Sequence, residues 1–319
     1  MRPFFENNVL QQQPFKPMII VVDTTKAGSA SNTFVLPIIK ATSETVKIYW
    51  GDGTNSVGAN GDNTHVYAAS GVYTVKIESR LFGGIYFNNL GDKAKITKIA
   101  NYGQGVSRLN IGSFYGCSSL LSIDIGNIVS NGADATNQYK GCTSLTTVPL
   151  LNLSSVTNAG SMFYQCTALT TVPLFDLSKV TNASAMFAYC AALTTVPLLN
   201  LSSVTKATDM FFQCTSLTTV PLLNLSSVTS ALAMFYQCTA LTTVPLLNLS
   251  SCTNASNMFL GCTLTTQSYS DFLINLATQP LQSGVSFHGG NSKYNPTAAT
   301  ARAYLISNFG WTITDGGAA

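Results

Sequence analysis

Seven cysteines recur at positions 117, 142, 166, 190, 214, 238 and 262, one step of 25 residues followed by five of 24. Thiols in such a column point to a disulfide ladder or to a metal site. Neighbouring coils of a stacked repeat lie about 4.8 Å apart, within bridging range, but in-register side chains point the same way rather than at each other. Metal sites favour clustered pairs such as C-x-x-C with histidines close by. The only histidines, His65 and His288, fall outside the repeats. An eighth cysteine, Cys252, takes the column otherwise held by Val156, Val180, Val204 and Val228. A cysteine in place of valine fills space, so the thiols are expected to be small buried hydrophobes. No metal and no cofactor is expected.

The remaining reactive groups are sparse. A Ser-His-Asp arrangement would depend on His65, placed next to a strand, or on His288, in the loop Phe287-His288-Gly289-Gly290. Asp52, Asp62 and Asp92 do not fit the spacing of a D-x-[DN]-x-[DN]-G calcium loop and read as turn residues. Glycosidase chemistry needs two carboxylates across a cleft, and Asp176 and Asp209 lie in different columns of the repeat. No catalytic residue is assigned and no enzyme is expected. Binding is better motivated: Tyr115, Tyr164, Phe212 and Tyr236 share one column, interrupted by Ala188 and Leu260. If exposed, it would be an aromatic strip of the kind that stacks on sugars or on another protein; otherwise it is a second packed face. Thr146-Thr147 and their equivalents would form hydroxyl ladders, which parallel-sheet propensity already explains.

The elements that position these residues follow from the repeat M-F-x-x-C-x-x-L-T-T-V-P-L-L-N-L-S-S-V-T-N-A, whose fixed period means stacked supersecondary units. Leu145, Val148 and Leu150, with their equivalents in later units, spell L-x-x-V-x-L, the strand signature of leucine-rich repeats. All three columns are expected to face inward. Pro149 and its equivalents remove a ladder donor per coil, which predicts strands as short as Thr146 to Val148. Val156, Ala159, Phe163 and Cys166 are spaced three, four and three, one face of a helix of about two turns, with Thr157 or Asn158 as its cap.

The fold class is therefore α+β: a solenoid of 24-residue units, each a short strand plus a short helix, over residues 93–264. Before it, residues 18–92 hold short alternating strands (Met18 to Val22; Val46, Ile48, Trp50; Tyr73, Val75, Ile77) with turns at Asp52-Gly53 and Gly61-Asp62, which predicts a small antiparallel β-sandwich. After it, residues 265–319 predict an α/β cap. There Ser270 caps one helix, Asn295-Pro296 starts a second through Ser307 with Gly310 past its end, and Trp311 to Thr314 forms a closing strand. Residues 1–17, with a Phe4-Phe5 pair and Gln-rich polar content, read as an arm that docks on a partner or frays.

Charged residues make up only 9% of the 319, and the net charge is +3. Between Cys142 and Cys262 the only charges are Asp176, Lys179, Lys206 and Asp209. That excludes the lysine and arginine stripe a nucleic-acid partner requires. No stretch reaches the length of a membrane span, so no membrane insertion is expected. Met1 to Pro17 shows no basic start followed by an apolar core, so no secretory signal is expected.

The succession Tyr49-Trp50-Gly51-Asp52-Gly53-Thr54, His65-Val66-Tyr67 and Gly71-Val72-Tyr73-Thr74-Val75 resembles the WGDGT…HxY…GxYTV pattern of PKD-type immunoglobulin-like domains. Ile85 to Asn89, Ile99 to Gly103, Phe114 to Cys117, the M-F-x-x-C repeats and the tail Gly310 to Gly317 resemble BspA-like leucine-rich repeat surface proteins. The resemblance covers about residues 45–317 and departs in having Tyr102 where such proteins often carry tryptophan. It implies a structural role for His65 and a binding protein of cell surfaces, with similar modules on phage particles. The expected function is a non-enzymatic component of a bacteriophage virion, such as a capsid decoration, tail or attachment protein. Its partners would be other virion proteins and a host-surface protein or glycan, with homo-oligomers expected. The alternative is a bacterial cell-surface adhesin of the BspA type.

Overall fold

The computed structural model describes residues 16–40, 45–79, 82–102, 113–124 and 133–319. Most of the expected arm lies outside them.

β-branched, alternating sequence builds the N-terminal part. Strands β1 (Met18–Asp23), β2 (Thr33–Lys40), β3 (Val46–Tyr49), β4 (Asn55–Gly58), β5 (Gly61–Val66), β6 (Val72–Glu78), β7 (Phe82–Ile85), β8 (Ile96–Tyr102) and β9 (Ser122–Ile123) form two sheets. One runs β4-β3-β6-β1-β8-β9 and the other β5-β2-β7. Ile20, Val22, Phe34, Leu36, Val46, Ile48, Val75 and Ile77 alternate inward and are fully buried. Gly61-Asp62, expected as a turn, instead opens β5, and the chain passes from one sheet to the other at Ala59-Asn60. β8 pairs antiparallel with β1 and parallel with β9, so the sheet crosses residue 92 without a break. A buried ion pair pins this region: Asp92 accepts from the Ser29 and Val35 amides, and Lys95 Nζ donates to the Ala30 and Thr33 carbonyls at 2.9 and 2.7 Å. Burying two charges is tolerable only with such full partnering.

Beyond β9 the coils stack in register, one per 24 residues. Three features differ from expectation. First, the unit contains no helix. The Val156, Ala159, Phe163 and Cys166 face is fully buried as its spacing predicts. However, Ser161 and Gln165, and their equivalents Ala185 and Tyr189, Asp209 and Gln213, and Ala233 and Gln237, have φ between 50° and 62°. Two left-handed residues per coil break any helical ladder. The amides of Ala159, Ser161, Phe163 and Gln165 donate instead to the next coil (2.9 Å each), while those of Met162, Tyr164 and Cys166 close turns within their own. Asn158, expected to cap a helix, forms a bridge with Asn182, and the row continues through Lys206, Ser230 and Asn254. Second, the strand contracts to a single bridge, Thr147 with Thr171.

Third, the Leu150, Leu174, Leu198, Leu222 and Leu246 column points to solvent. Leu151, Phe175, Leu199, Leu223 and Leu247 are buried in its place, and Leu153 and its equivalents complete the inner face. In two of the coils a tight turn at the proline accompanies the shift. Leu199 N donates to Pro197 O at 2.8 Å and Leu247 N to Pro245 O at 2.9 Å, three-residue turns that advance the alternation by one position.

Two of the buried columns are the rings and the thiols. The rings of Phe114, Tyr139, Phe163, Phe187, Phe211, Phe235 and Phe259 stack with centroids 5.4 to 5.9 Å apart and planes within 10°. Beside them run the cysteines. After Cys262 the chain forms α1 (Thr266–Leu276), β10 (Ser286–His288), α2 (Pro296–Phe309) and β11 (Thr312–Thr314), with β10 and β11 parallel. Thr265, not Ser270, caps α1; Ser270 is buried and accepts from the Asn295 amide. α2 starts at Asn295 and ends at a left-handed Gly310, as the Asn-Pro and Gly positions predict. β10 takes the place of a further coil, since the amides of Ala255 and Phe259 donate to Ser286 and His288. Phe272 and Phe287 meet Phe259 edge-on, at 87° and 77°, and end the ring stack.

The adjacent leucines of one coil separate this packing from the sequence-based expectation. Leu199→Ala should cost about 2–5 kcal/mol and Leu198→Ala within about 0.5 kcal/mol in urea unfolding at low protein concentration. Equal costs would contradict the shifted phase.

Candidate binding surface

In every coil but that of Phe187 the residue after the buried ring reaches solvent, where the turn closed by the left-handed residue swings the side chain outward. Tyr115, Tyr164, Phe212 and Tyr236 occupy this position and are all half-buried. The two gaps in the column close differently. Lys140 holds the level between Tyr115 and Tyr164, its ammonium 5.2 and 4.7 Å from the two ring centroids, an arrangement that attracts through the ring quadrupoles. Ala188 is buried, and Tyr189 fills its level from one position along, with φ 62°. Tyr189 sits 5.1 Å from Tyr164 and 5.2 Å from Phe212. Column arithmetic misses Tyr189 because the side chain leaves the neighbouring position. The available signal was an aromatic directly beside the gap.

The result is a continuous strip from Tyr115 to Tyr236. Phe212 and Tyr236 stack at 4.6 Å with planes 3° apart, so they turn edges outward. Tyr164, Tyr189 and Phe212 are inclined by 63° and 50°, which opens wedges between their faces. Burial pushes the Tyr164 hydroxyl above its ordinary pKa, reinforced by the neighbouring Tyr189. Asp209 lies on the same side, and burial raises its carboxyl as well.

The other candidate groups are tied into the scaffold. His65 stacks on Trp50 at 4.7 Å, meets the edge of Tyr67, and bonds Asp52 Oδ2 at 2.7 Å. Burial would raise Asp52, but the Thr54 hydroxyl and amide and His65 outweigh it and hold the carboxyl at about 2. Tyr67 closes the cluster by donating to the Trp50 carbonyl. His288 accepts from the Gly290 amide. Asp315 is held by Arg302 Nε at 2.8 Å and the Tyr269 hydroxyl at 2.9 Å. Asp52 and Asp92 thus have separate partners, and Asp62 is exposed. Among the described residues no three His, Cys, Asp or Glu side chains converge on a common point. All eight cysteines are buried free thiols. From Cys142 onward the columnar ones donate to carbonyls of the preceding coil, as in Cys166 to Tyr139 O (3.1 Å) and Cys262 to Phe235 O (3.0 Å), and burial pushes the Cys262 thiol up to about 12. No helix among the described residues is long and apolar enough to cross a membrane.

Residues 76–206 match the family described as the BspA type leucine rich repeat region, in six copies. Residues 157–272 match a family described as Mycoplasma protein of unknown function, DUF285. The repeat region is thus BspA-like, a type that is surface-associated. No curated protein and no solved structure matches the chain.

Two measurements check this account. Native protein should leave all eight thiols unreacted with a thiol-specific reagent that titrates them fully in denaturant. Asp209, its carboxyl raised by burial, gives the folded chain an extra affinity for a proton; that contribution is lost as pH rises through the folded pKa. Asp209→Asn should therefore unfold at a higher temperature than wild type at pH 7, with the gap closing below about pH 3. Asn257 holds the equivalent position in the last coil with φ 59°, so the backbone accepts asparagine there.

Proposed function

We propose that this chain is a non-enzymatic binding protein displayed on a biological surface. In this reading the coils form a solenoid, the two N-terminal sheets a PKD-type β-sandwich, and the segment after Cys262 its cap. The observations that carry the reading are the BspA-type repeat match over residues 76–206 and the presence of only four charges between Cys142 and Cys262. Such a face acts through shape and contact area. Its partners are protein or neutral glycan, and polyanions such as nucleic acid are disfavoured. The aromatic strip is the contact line, its wedges at Tyr164, Tyr189 and Phe212 taking apolar or ring-shaped groups.

Two carriers fit. One is a bacteriophage virion, where the chain would be a capsid decoration, tail or attachment component contacting other virion proteins and the host. The other is a bacterial cell surface, where it would be an adhesin; the repeat match favours this carrier equally. Stoichiometric copies in purified particles would assign the first, and antibody labelling of intact cells the second; absence from both would overturn the display reading. On the identified carrier, Tyr164→Ala combined with Tyr236→Ala should weaken attachment about tenfold or more without loss of fold, since aromatic anchors dominate such contacts. Unchanged attachment would remove the strip from the mechanism.

A further inference from the structure

The outward leucines form a second surface, independent of the display reading. Leu150, Leu174, Leu198, Leu222 and Leu246 are 61, 58, 60, 59 and 51% exposed and hold one position in five consecutive coils. At a coil spacing of about 4.8 Å they make a ridge roughly 19 Å long. Exposed rows of threonine and asparagine flank it, Thr147 and its equivalents on one side and Asn152 and its equivalents on the other. The single charge in these rows is Asp176. At its far end the ridge runs into a groove of about 650 Å³ between Leu246 and α1, lined also by Gln267, Asp271 and Ile274. Beyond its near end the coil of β9 carries an exposed leucine at the position of Thr146, Leu121.

We propose that two copies of the chain associate through this face, antiparallel, about a two-fold axis that crosses the ridge at Leu198. Contiguous exposed apolar surface of this kind marks an interaction site, and its best-fitting occupant is an uncharged ridge of the same pitch. A second copy supplies one. Five leucines set the symmetry: Leu198 meets itself, Leu174 meets Leu222, and Leu150 meets Leu246, an isologous contact that closes at two subunits. Asp176 then faces Asn224, so the one charge of the flanking rows meets no like charge. The same register brings the coil of Leu121 opposite the partner's groove, whereas a parallel pair would set groove against groove. The five coils and α1, seven residues wide, span roughly 24 by 20 Å in plan. The corrugation of the face adds accessible surface to this plan, toward the roughly 800 Å² that a standard interface takes from each partner.

Light scattering on size-fractionated full-length protein should give twice the 33.8 kDa chain mass. Leu174→Lys combined with Leu222→Lys should give a monomer with an unchanged circular dichroism spectrum, both positions being exposed. Crosslinking reads the register, because every native thiol is buried. Leu198→Cys should oxidise to a covalent dimer. Leu150→Cys alone should not, while Leu150→Cys mixed with Leu246→Cys should. A monomeric wild type overturns the proposal, as does Leu150→Cys pairing with itself, which would mean a parallel dimer. A wild type that dimerises only after removal of residues 1–15 also overturns it, since the ridge would then be covered by the chain's own N-terminal arm.

Discussion

Backbone amides shared between coils hold this molecule together, and most other features follow from that. Within the turn half of each unit, alternate amides close local turns and the rest donate to the next coil. Buried backbone groups cannot be left unpaired, so a coil without its neighbour loses both its interior and its hydrogen bonds. The period is held at 24 residues because a slip would separate the stacked phenylalanine rings and the cysteine-to-carbonyl bonds together. The architecture is accordingly close to one-dimensional, each unit depending on the two beside it.

Both ends must then be closed. At the start, the six-stranded sheet does this: β8 pairs with β9 as a preceding coil would. Asn88 and Asn89, with φ 43° and 63°, shape the segment whose amides bond the coil of Tyr115. At the finish, β10 satisfies the outgoing amides while Phe272 and Phe287 turn their edges to the last ring. Edge-to-face contact is a natural terminus for a stack, because it leaves no parallel face open to a further copy.

What the stacking leaves outside is repeated as faithfully as what it buries. A polar unit repeated five times gives hydroxyl and amide rows, and a single solvent-facing leucine becomes a ridge. With so few charges the faces differ mainly in shape: an inclined aromatic strip on the turn side, and an apolar ridge after the proline. Repetition turns small features of one coil into extended surfaces.

The sequence by itself determined the period, the buried columns of Leu145, Val148, Phe163 and Cys166, the helix from Asn295-Pro296 to Gly310, and the BspA-like character of the repeats. Each rests on residue type at a fixed spacing, which packing in register preserves. Only the tertiary structure decided the rest. The 3-4-3 spacing of Val156, Ala159, Phe163 and Cys166 fits a helix and a pair of tight turns equally, and bonding between coils selected the turns. Leu150 and Leu151 are chemically the same residue, and the backbone direction after the proline chose which went inside. Tyr189 joined the aromatic strip because a left-handed backbone carried it there. In every such case the deciding factor was backbone direction, which the order of side chains does not encode when neighbouring residues are alike.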